Sequence, residues 1–256
     1  MKFNYMKSAA MALAFACCVS SCSDFLEEEN KTGATAELEY ATVSGIDGLM
    51  GSAYSFLRLW AGKPAALAMN GSGTDDLFYG IDCGMKPLGD YTFTAEQDGK
   101  TNFDSYWEAF YCGIDVCNLA LKYVPLNTAI GEAKKQTYLG EAQFLRAFYY
   151  FMLVNHFGAP YNYNKQALGV PLKLDSNLLP EDQLLMTRNT VEEVYNQIVD
   201  DLNEAERLFL TLSKDKQYEP NYLVSLPMIQ LLKSRVFLYM ENWKDAAIYA
   251  NKVIKD

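Results

Sequence analysis

The 256-residue sequence predicts a mostly α-helical chain, built of helical hairpins and interrupted by an irregular, loop-rich insertion. Three observations predict this class. Long stretches repeat apolar residues every three or four positions, the period of one buried helix face. Capping and breaking residues stand at the ends of those stretches. Between them, Gly62 to Lys100 is rich in glycine and turn residues and is the least regular part of the chain.

The N-terminus stands apart from the fold. Lys2 and Lys7 precede an apolar run from Ser8 to Val19, and Ser20 and Ser21 lead into Cys22. A basic start, a short apolar run and a small-residue cleavage site make residues 1–21 read as a secretory signal peptide. The run is shorter than the roughly 20 residues a bilayer-spanning helix needs. Val-Ser-Ser-Cys resembles a bacterial lipobox, which implies that Cys22 is lipidated and opens the mature chain. The acidic stretch from Ser23 to Glu29 follows, and residues 22–35 read as a solvated tether, because clustered like charges repel.

The first strong helix runs from Phe103 to Val124. Phe103, Tyr106, Trp107, Phe110, Ile114, Cys117, Leu121 and Val124 trace one face, Thr101 with Asp104 offers a capping box, and Pro125 stops it. A second runs from Ile130 to Phe157 on the stripe Tyr138, Ala142, Leu145, Tyr149, Met152 and His156, ended by Gly158 and Pro160. A third, Thr190 to Phe209, opens with a Thr190–Glu193 capping box and buries Val191, Val194, Ile198, Leu202, Ala205 and Leu208. The last stretch is a hairpin. Ser225 caps its first helix, Pro227 sits in the opening turn, Glu241-Asn242 breaks it after Met240, and Trp243 to Ile254 form the second helix.

Ala246, Ala247 and Ala250 would let the two helices of this hairpin approach closely, as in a tetratricopeptide repeat. A related helix, EAQFLRAFYYFMLVNHFG, lies roughly 90 residues earlier, so the repeats are irregular. A solenoid normally closes with a polar capping element. None precedes Asp256, and a truncated reading frame is expected.

Composition narrows the function. Without Lys2 and Lys7 the mature chain carries 20 basic against 32 acidic residues, a formal charge of −12. An acidic chain with no basic cluster argues against nucleic acid. Cys17 and Cys18 leave with the signal peptide, and Cys83, Cys112 and Cys117 remain beside Cys22. An odd number argues against a disulfide framework, and no CxxC spacing supports a metal site. Cys112 and Cys117 point about 140° apart on one helix and read as small buried hydrophobes.

The motifs SCSDFLEE, YWEAFYCGIDVCNLAL, GEAQFLRAFYYFMLVNHFGAPYN, GVPLKLD and TVEEVYNQIVDDLNEAERLF, with the terminal hairpin, occur in one order. Together they resemble the SusD/RagB family of Bacteroidetes outer-membrane nutrient-binding lipoproteins. The acidic stretch after Cys22 is similar to their surface-export signal. Family members are about twice as long, so the resemblance covers an N-terminal portion, residues 22–256, with tetratricopeptide-like helices over 103–256. It implies a surface-exposed, lipid-anchored protein of the outer membrane that binds a glycan or other nutrient. Its implied partner is a SusC-like TonB-dependent transporter, and it implies no catalysis and no cofactor.

Residues that could carry chemistry are few. His156, the single histidine, falls on an apolar helix stripe and reads as a core or interface residue, and no GxSxG accompanies it. Asn70 to Asp76 holds two glycines, but no following lysine and helix complete a phosphate loop. Asp75 and Asp76 could form a glycosidase pair, yet neighbours in sequence need not flank a bond, so the stretch reads as a turn. Sugar binding asks only for aromatic faces and hydrogen-bonding amides or carboxylates. Phe78, Tyr79, Asp82 and Tyr91 supply these, against the alternative that the rings are core. Trp107 and Trp243 read as buried packing and Trp60 is open. Arg146 needs a carboxylate, with Asp115 the expected partner. Two other functions stay open: a helical scaffold that contacts the transporter without its own ligand site, and an envelope glycoside hydrolase.

Overall fold

The computed structural model describes residues 36–61, 102–176, 186–218 and 223–255. These contain eight α-helices: α1 (Ala36–Tyr40), α2 (Val43–Ala61), α3 (Asn102–Leu126), α4 (Glu132–Phe157), α5 (Val191–Leu210), α6 (Lys214–Gln217), α7 (Leu226–Tyr239) and α8 (Trp243–Lys255). Strand pairing among the described residues is limited to one bridge, Leu168 with Thr190. The helical hairpins expected from the apolar periods are therefore present. Their packing follows chain order, α2 on α3, α3 on α4, α4 on α5 and α7 on α8, with α7 also against α5.

Paired contacts show that α4 runs antiparallel to both neighbours. Lys135 Nζ donates to Pro125 O at 3.3 Å near one end of the α3–α4 pair. Farther along, Gly113 of α3 lies against the Tyr149 ring of α4. On the other side, Thr211 Oγ1 donates to Gln136 Oε1, and Tyr195 Oη donates to Asn155 Oδ1 at 3.1 Å. Ridges of Phe110, Ile114, Leu145, Tyr149, Val194, Ile198 and Leu202 interlock between these helices as one buried core. A smaller core joins Ile46, Leu49 and Met50 of α2 to Ala120, Tyr123 and Val124 of α3.

Turn chemistry closes each hairpin. Asn127, buried between α3 and α4, accepts from the Ala129 and Ile130 amides at 2.8 and 3.1 Å and donates to Tyr40 O at 2.8 Å. It thus ties the α1–α2 junction to the α3–α4 turn. The predicted Thr190–Glu193 capping box starts α5, with Thr190 N donating to the Glu193 carboxylate at 2.7 Å. At the end of α7, Asn242 N donates to Phe237 O and Glu241 N to Leu238 O, the two bonds of a Schellman cap. Glu241 takes the left-handed conformation there, φ 56°.

Four expectations change. Helix α2, which the periodic reading leaves out, supplies the second core. Pro125 lies in the last turn of α3, which ends at Leu126; its missing N–H costs a single helical bond there, and Asn127 N still closes onto Tyr123 O at 3.1 Å. Cys112 is exposed and only Cys117 is buried, as their divergent directions on α3 require. Trp107 is partly buried against the core, but Trp243 is 61% exposed. It opens α8 at the hairpin turn, after α7 has ended, and burial of α8 begins one turn later at Ala246. Ser225 stands at the N-cap of α7 as expected, without a side-chain cap bond. Thr101, Cys83, Trp60 and the stretch 62–100 lie outside the residues whose side chains are described.

The tightest contact in the core generates a test. A methyl group on Gly113 would stand 2.6 Å from the Tyr149 ring. That ring is fully buried, and its hydroxyl donates to Ala53 O at 2.6 Å, so it cannot swing aside freely. Alanine in place of glycine gains about 1 kcal/mol of helix propensity, whereas overpacking costs about 1–3 kcal/mol. Gly113→Ala is expected to lose about 1 kcal/mol net in urea denaturation. A midpoint equal to or above wild type would show that the ring yields.

Candidate functional site

Phe78, Tyr79, Asp82 and Tyr91, and the lipidation residue Cys22, lie outside the described residues. The described part is a helical frame. Its features are a strap between α4 and α5, an aromatic corner beneath that strap, and three charged clusters.

The strap begins where α4 ends. Gly158 N donates to Val154 O at 2.8 Å, and a Cβ on Gly158 would meet that same carbonyl oxygen at 2.7 Å. Glycine is required there by close approach. Gly169 N donates to Asn189 O at 2.7 Å and Asn189 N to Val170 O at 3.2 Å, which zips the two halves of the strap together. Arg188 completes the closure. Its Nε donates to Gly169 O at 2.6 Å and one terminal nitrogen to Phe157 O at 2.6 Å and Leu168 O at 3.1 Å. A fixed guanidinium fork suits several carbonyls at once, and a cation beside the C-terminus of α4 is favoured by the helix dipole.

Beneath the strap, Trp107 packs edge-on to Phe157 at 5.0 Å and beside Tyr111 at 4.9 Å. The Tyr111 hydroxyl donates to Pro171 O at 2.7 Å, and burial pushes its pKa well above the usual phenol range. It is a protonated donor held by a carbonyl, so it anchors the strap and offers no base.

The first charged cluster corrects the expected partner of Arg146. Arg146 grips Asp201 with two parallel bonds, Nε to Oδ2 at 2.8 Å and a terminal nitrogen to Oδ1 at 2.6 Å. Asp201 lies on the buried stripe of α5, three residues after Ile198, whereas Asp115 faces partly outward from α3. Burial pushes the Asp201 carboxyl upward, against the pull of Arg146 and the Gln197 amide. The other terminal nitrogen of Arg146 donates to Asn118 Oδ1 at 2.8 Å. Asn118 in turn donates to Lys173 O at 2.9 Å. The second cluster is Lys173 with Asp115, at 2.7 Å, and the Lys173 backbone carbonyl also accepts from Tyr150 at 2.8 Å. Arg146 is thus linked through Asn118 to the GVPLKLD segment.

The third cluster locks the terminal hairpin. Glu206 of α5 accepts from Lys233 of α7 at 2.5 Å and Lys252 of α8 at 3.0 Å. Both ammonium groups also sit over the Tyr249 ring, at 4.2 and 4.3 Å. The Glu206 carboxyl is desolvated, but the two lysines outweigh this and hold it below the usual carboxylate range. Lys173, Arg188, Asp201 and Glu206 are structural residues the sequence reading did not pick out. Asp201 and Glu206 carried a signal, since both fall at helical spacing beside Ile198 and Leu202.

These arrangements hold structure together. His156 shares its Nδ1 with Met152 O at 2.7 Å, one turn back on its own helix. Burial drives the Cys117 thiol well above the ordinary range. Burial also raises the thiol of Cys112, assisted by Asp115 and Glu108. Among the described residues no three His, Cys, Asp or Glu side chains converge to hold a metal ion, and none of their helices is long and apolar enough to cross a membrane.

Residues 87–225 match the SusD-like family described as starch-binding, associating with the outer membrane. A SusD-like protein of Formosa agariphila is 31% identical over 140 residues, covering 55% of this chain and 24% of that protein. Among solved structures, a SusD-like carbohydrate-binding protein from Bacteroides vulgatus superposes with a TM-score of 0.70 at 20% identity. It is matched over 83% of this chain and 44% of its own length. A laminarin-binding SusD-like protein superposes at 0.65 with 26% identity, over 82% of this chain and 43% of its own. The fold is shared, and the chain spans less than half the length of each of these proteins.

The Arg146–Asp201 pair can be tested by removing one or both charges. Arg146→Met alone or Asp201→Leu alone leaves a buried charge and is expected to cost about 3–5 kcal/mol. The double variant should recover most of that loss in urea denaturation. Single variants that each lose less than about 1 kcal/mol would show that the pair does not hold the helices in register.

Proposed function

The chain belongs to the SusD-like family, and from that premise we propose that it is a glycan-binding lipoprotein of the outer-membrane surface. In this reading residues 1–21 are a signal peptide, Cys22 carries lipid, and residues 22–35 are the tether. The helical body is the N-terminal portion of a longer SusD-like architecture. It presents an oligosaccharide to a SusC-like TonB-dependent transporter, and it does no chemistry on that sugar.

The observation that carries the reading is the family match over residues 87–225, which takes in Tyr91 and helices α3 to α5. Two things support it. The laminarin-binding relative and the carbohydrate-binding relative share this fold. The charged clusters of the frame are each answered by protein groups. Recognition then falls to aromatic rings and hydrogen-bonding side chains, which suit a neutral sugar. Phe78, Tyr79, Asp82 and Tyr91 are the proposed contacts. One or two stacked rings would bind no tighter than millimolar, about −4 kcal/mol. The short span of the match favours a second reading, a scaffold that contacts the transporter without a ligand site of its own.

Lipidation is tested by labelling cells with an alkyne fatty acid. The wild-type chain should be tagged, and Cys22→Ser should lose the tag and leave the membrane fraction. Equal labelling of the variant overturns the anchor.

Sugar binding is tested by electrophoresis through gels containing soluble starch or laminarin, where a polymer makes millimolar contacts visible. Wild type should be retarded, and Tyr79→Ala and Tyr91→Ala should each weaken retardation about fivefold without lowering the melting temperature. Unchanged retardation in both removes these tyrosines from the site. A wild-type chain that no glycan retards favours the scaffold.

A further inference from the structure

Glu206 of α5 answers two cations that come from different helices. Lys233 of α7 reaches one carboxylate oxygen at 2.5 Å, and Lys252 of α8 reaches the other at 3.0 Å. The Lys233 side chain is only 2% exposed, against 42% for Lys252. Both ammonium groups also share one ring, at 4.2 and 4.3 Å from the centre of Tyr249. Two like charges on one ring are held together by the negative charge between them. The other groups that face Glu206 are uncharged, Gln230 of α7 at 3.4 Å and the Tyr249 hydroxyl of α8 at 3.3 Å. On its own helix, Asn203 accepts from Lys233 at 2.7 Å, and Arg207 is turned onto Glu204 at 2.6 Å.

Helix α8 has little else to hold it. At 13 residues it is near the length at which an isolated helix is marginal in water. Ala246 is its one buried residue. Ser234 Oγ of α7 donates to Ala246 O at 2.8 Å, and Phe237 stacks on Tyr249 at 5.6 Å. Helix α7 is held differently, because Leu226, Ile229, Leu232 and Val236 enter the main core. Apolar burial thus fixes α7, whereas α8 reaches α5 through the Glu206 cluster.

We propose that the Glu206 carboxylate is a charge latch for α8, and that loss of its charge frees this helix while α3, α4, α5 and α7 stay packed. The latch is independent of what the protein binds. Without the carboxylate, Lys233 keeps only the Asn203 side-chain oxygen, and a buried cation so poorly answered is driven towards water. Tyr249 covers that ammonium, so hydrating Lys233 displaces Tyr249 and α8 with it. Burial pushes the Glu206 carboxyl upward, but the two lysines outweigh it and leave it below the ordinary carboxylate range. The latch is therefore complete above that range and is lost as pH falls through the lowered value.

Amide hydrogen exchange of the full chain, read by mass spectrometry at neutral pH, follows the helices separately. In Glu206→Gln, peptides over 243–255 should exchange at least about tenfold faster than in wild type, while 102–126 and 132–157 stay within about twofold. Glu206→Leu/Lys233→Leu removes the buried cation together with its counter-ion. It should return α8 to within about threefold of wild type, which separates lost charge from lost shape. Wild-type exchange over 243–255 in Glu206→Gln overturns the latch. A double variant as open as the single one overturns it too. So does acceleration spread equally over 132–157, which would make Glu206 a general support of the fold. A wild-type chain with no protection over 243–255 has no docked α8 to release and equally overturns it.

Discussion

Arg146 sits where α3, α4 and α5 meet, and its charge has to be answered at that point for the helices to close. Three of its nitrogens are used, two on Asp201 and one on Asn118. The geometry matters more than the energy. A buried ion pair is often no more stabilising than a well-packed apolar pair, but it tolerates only one register. Sliding α4 along α5 by one turn would move Arg146 away from Asp201 and leave each buried charge without its counter-ion. Asn118 extends the constraint, because it also donates to Lys173 O and so sets the height of the strap. The strap is thus positioned by a contact between the central helices.

Tyrosine hydroxyls extend the same logic to less polar parts of the core. Tyr149 donates to Ala53 O, Tyr150 to Lys173 O and Tyr111 to Pro171 O, while Tyr54 accepts from Val224 N. Each ring fills core volume; three of the hydroxyls reach backbone groups outside the helices, and Tyr149 reaches a carbonyl within α2. In a chain of irregular hairpins, the connecting segments lack repeat-to-repeat stacking to hold them. Phenol-to-backbone bonds supply that hold from within, which gives a structural reason for a core this rich in tyrosine.

What was legible in the sequence follows from which forces are local. The faces of α3, α4 and α5 could be read because burial imposes a 3.6-residue period whatever the partner is. Helix α2 escaped, although Ile46, Leu49, Met50 and Ala53 keep that period, because Gly45, Gly48 and Gly51 dilute it into a loop-like composition. Gly45 has its own reason, since a Cβ there would lie 2.0 Å from Glu39 O. The partner of Arg146 was misread for a different cause. Asp115 and Asp201 are both near apolar stripes, and choosing between them needs the relative rotation of three helices, which no single segment encodes. Trp243 failed in the same way. Its place on a stripe was right, but burial also requires that the neighbouring helix extend that far. Phe78, Tyr79, Asp82 and Tyr91 follow no apolar period in the sequence, so their candidacy rests on chemistry and family resemblance.

The charges of the frame and the aromatics of its surface divide the work. Arg146, Lys173 and Lys233 are each neutralised by a carboxylate within 2.8 Å. An acidic chain whose buried cations are consumed internally has little to offer an anionic ligand. Exposed rings such as Tyr163 and Trp243 carry no formal charge. In the glycan reading proposed above, exposed rings would meet a neutral, flat-faced ligand. Such contacts come at low strength, since each stacked ring contributes only about 1 kcal/mol. Under that reading, useful binding would come from several weak contacts along one polymer, and a rigid helical body would keep their spacing constant.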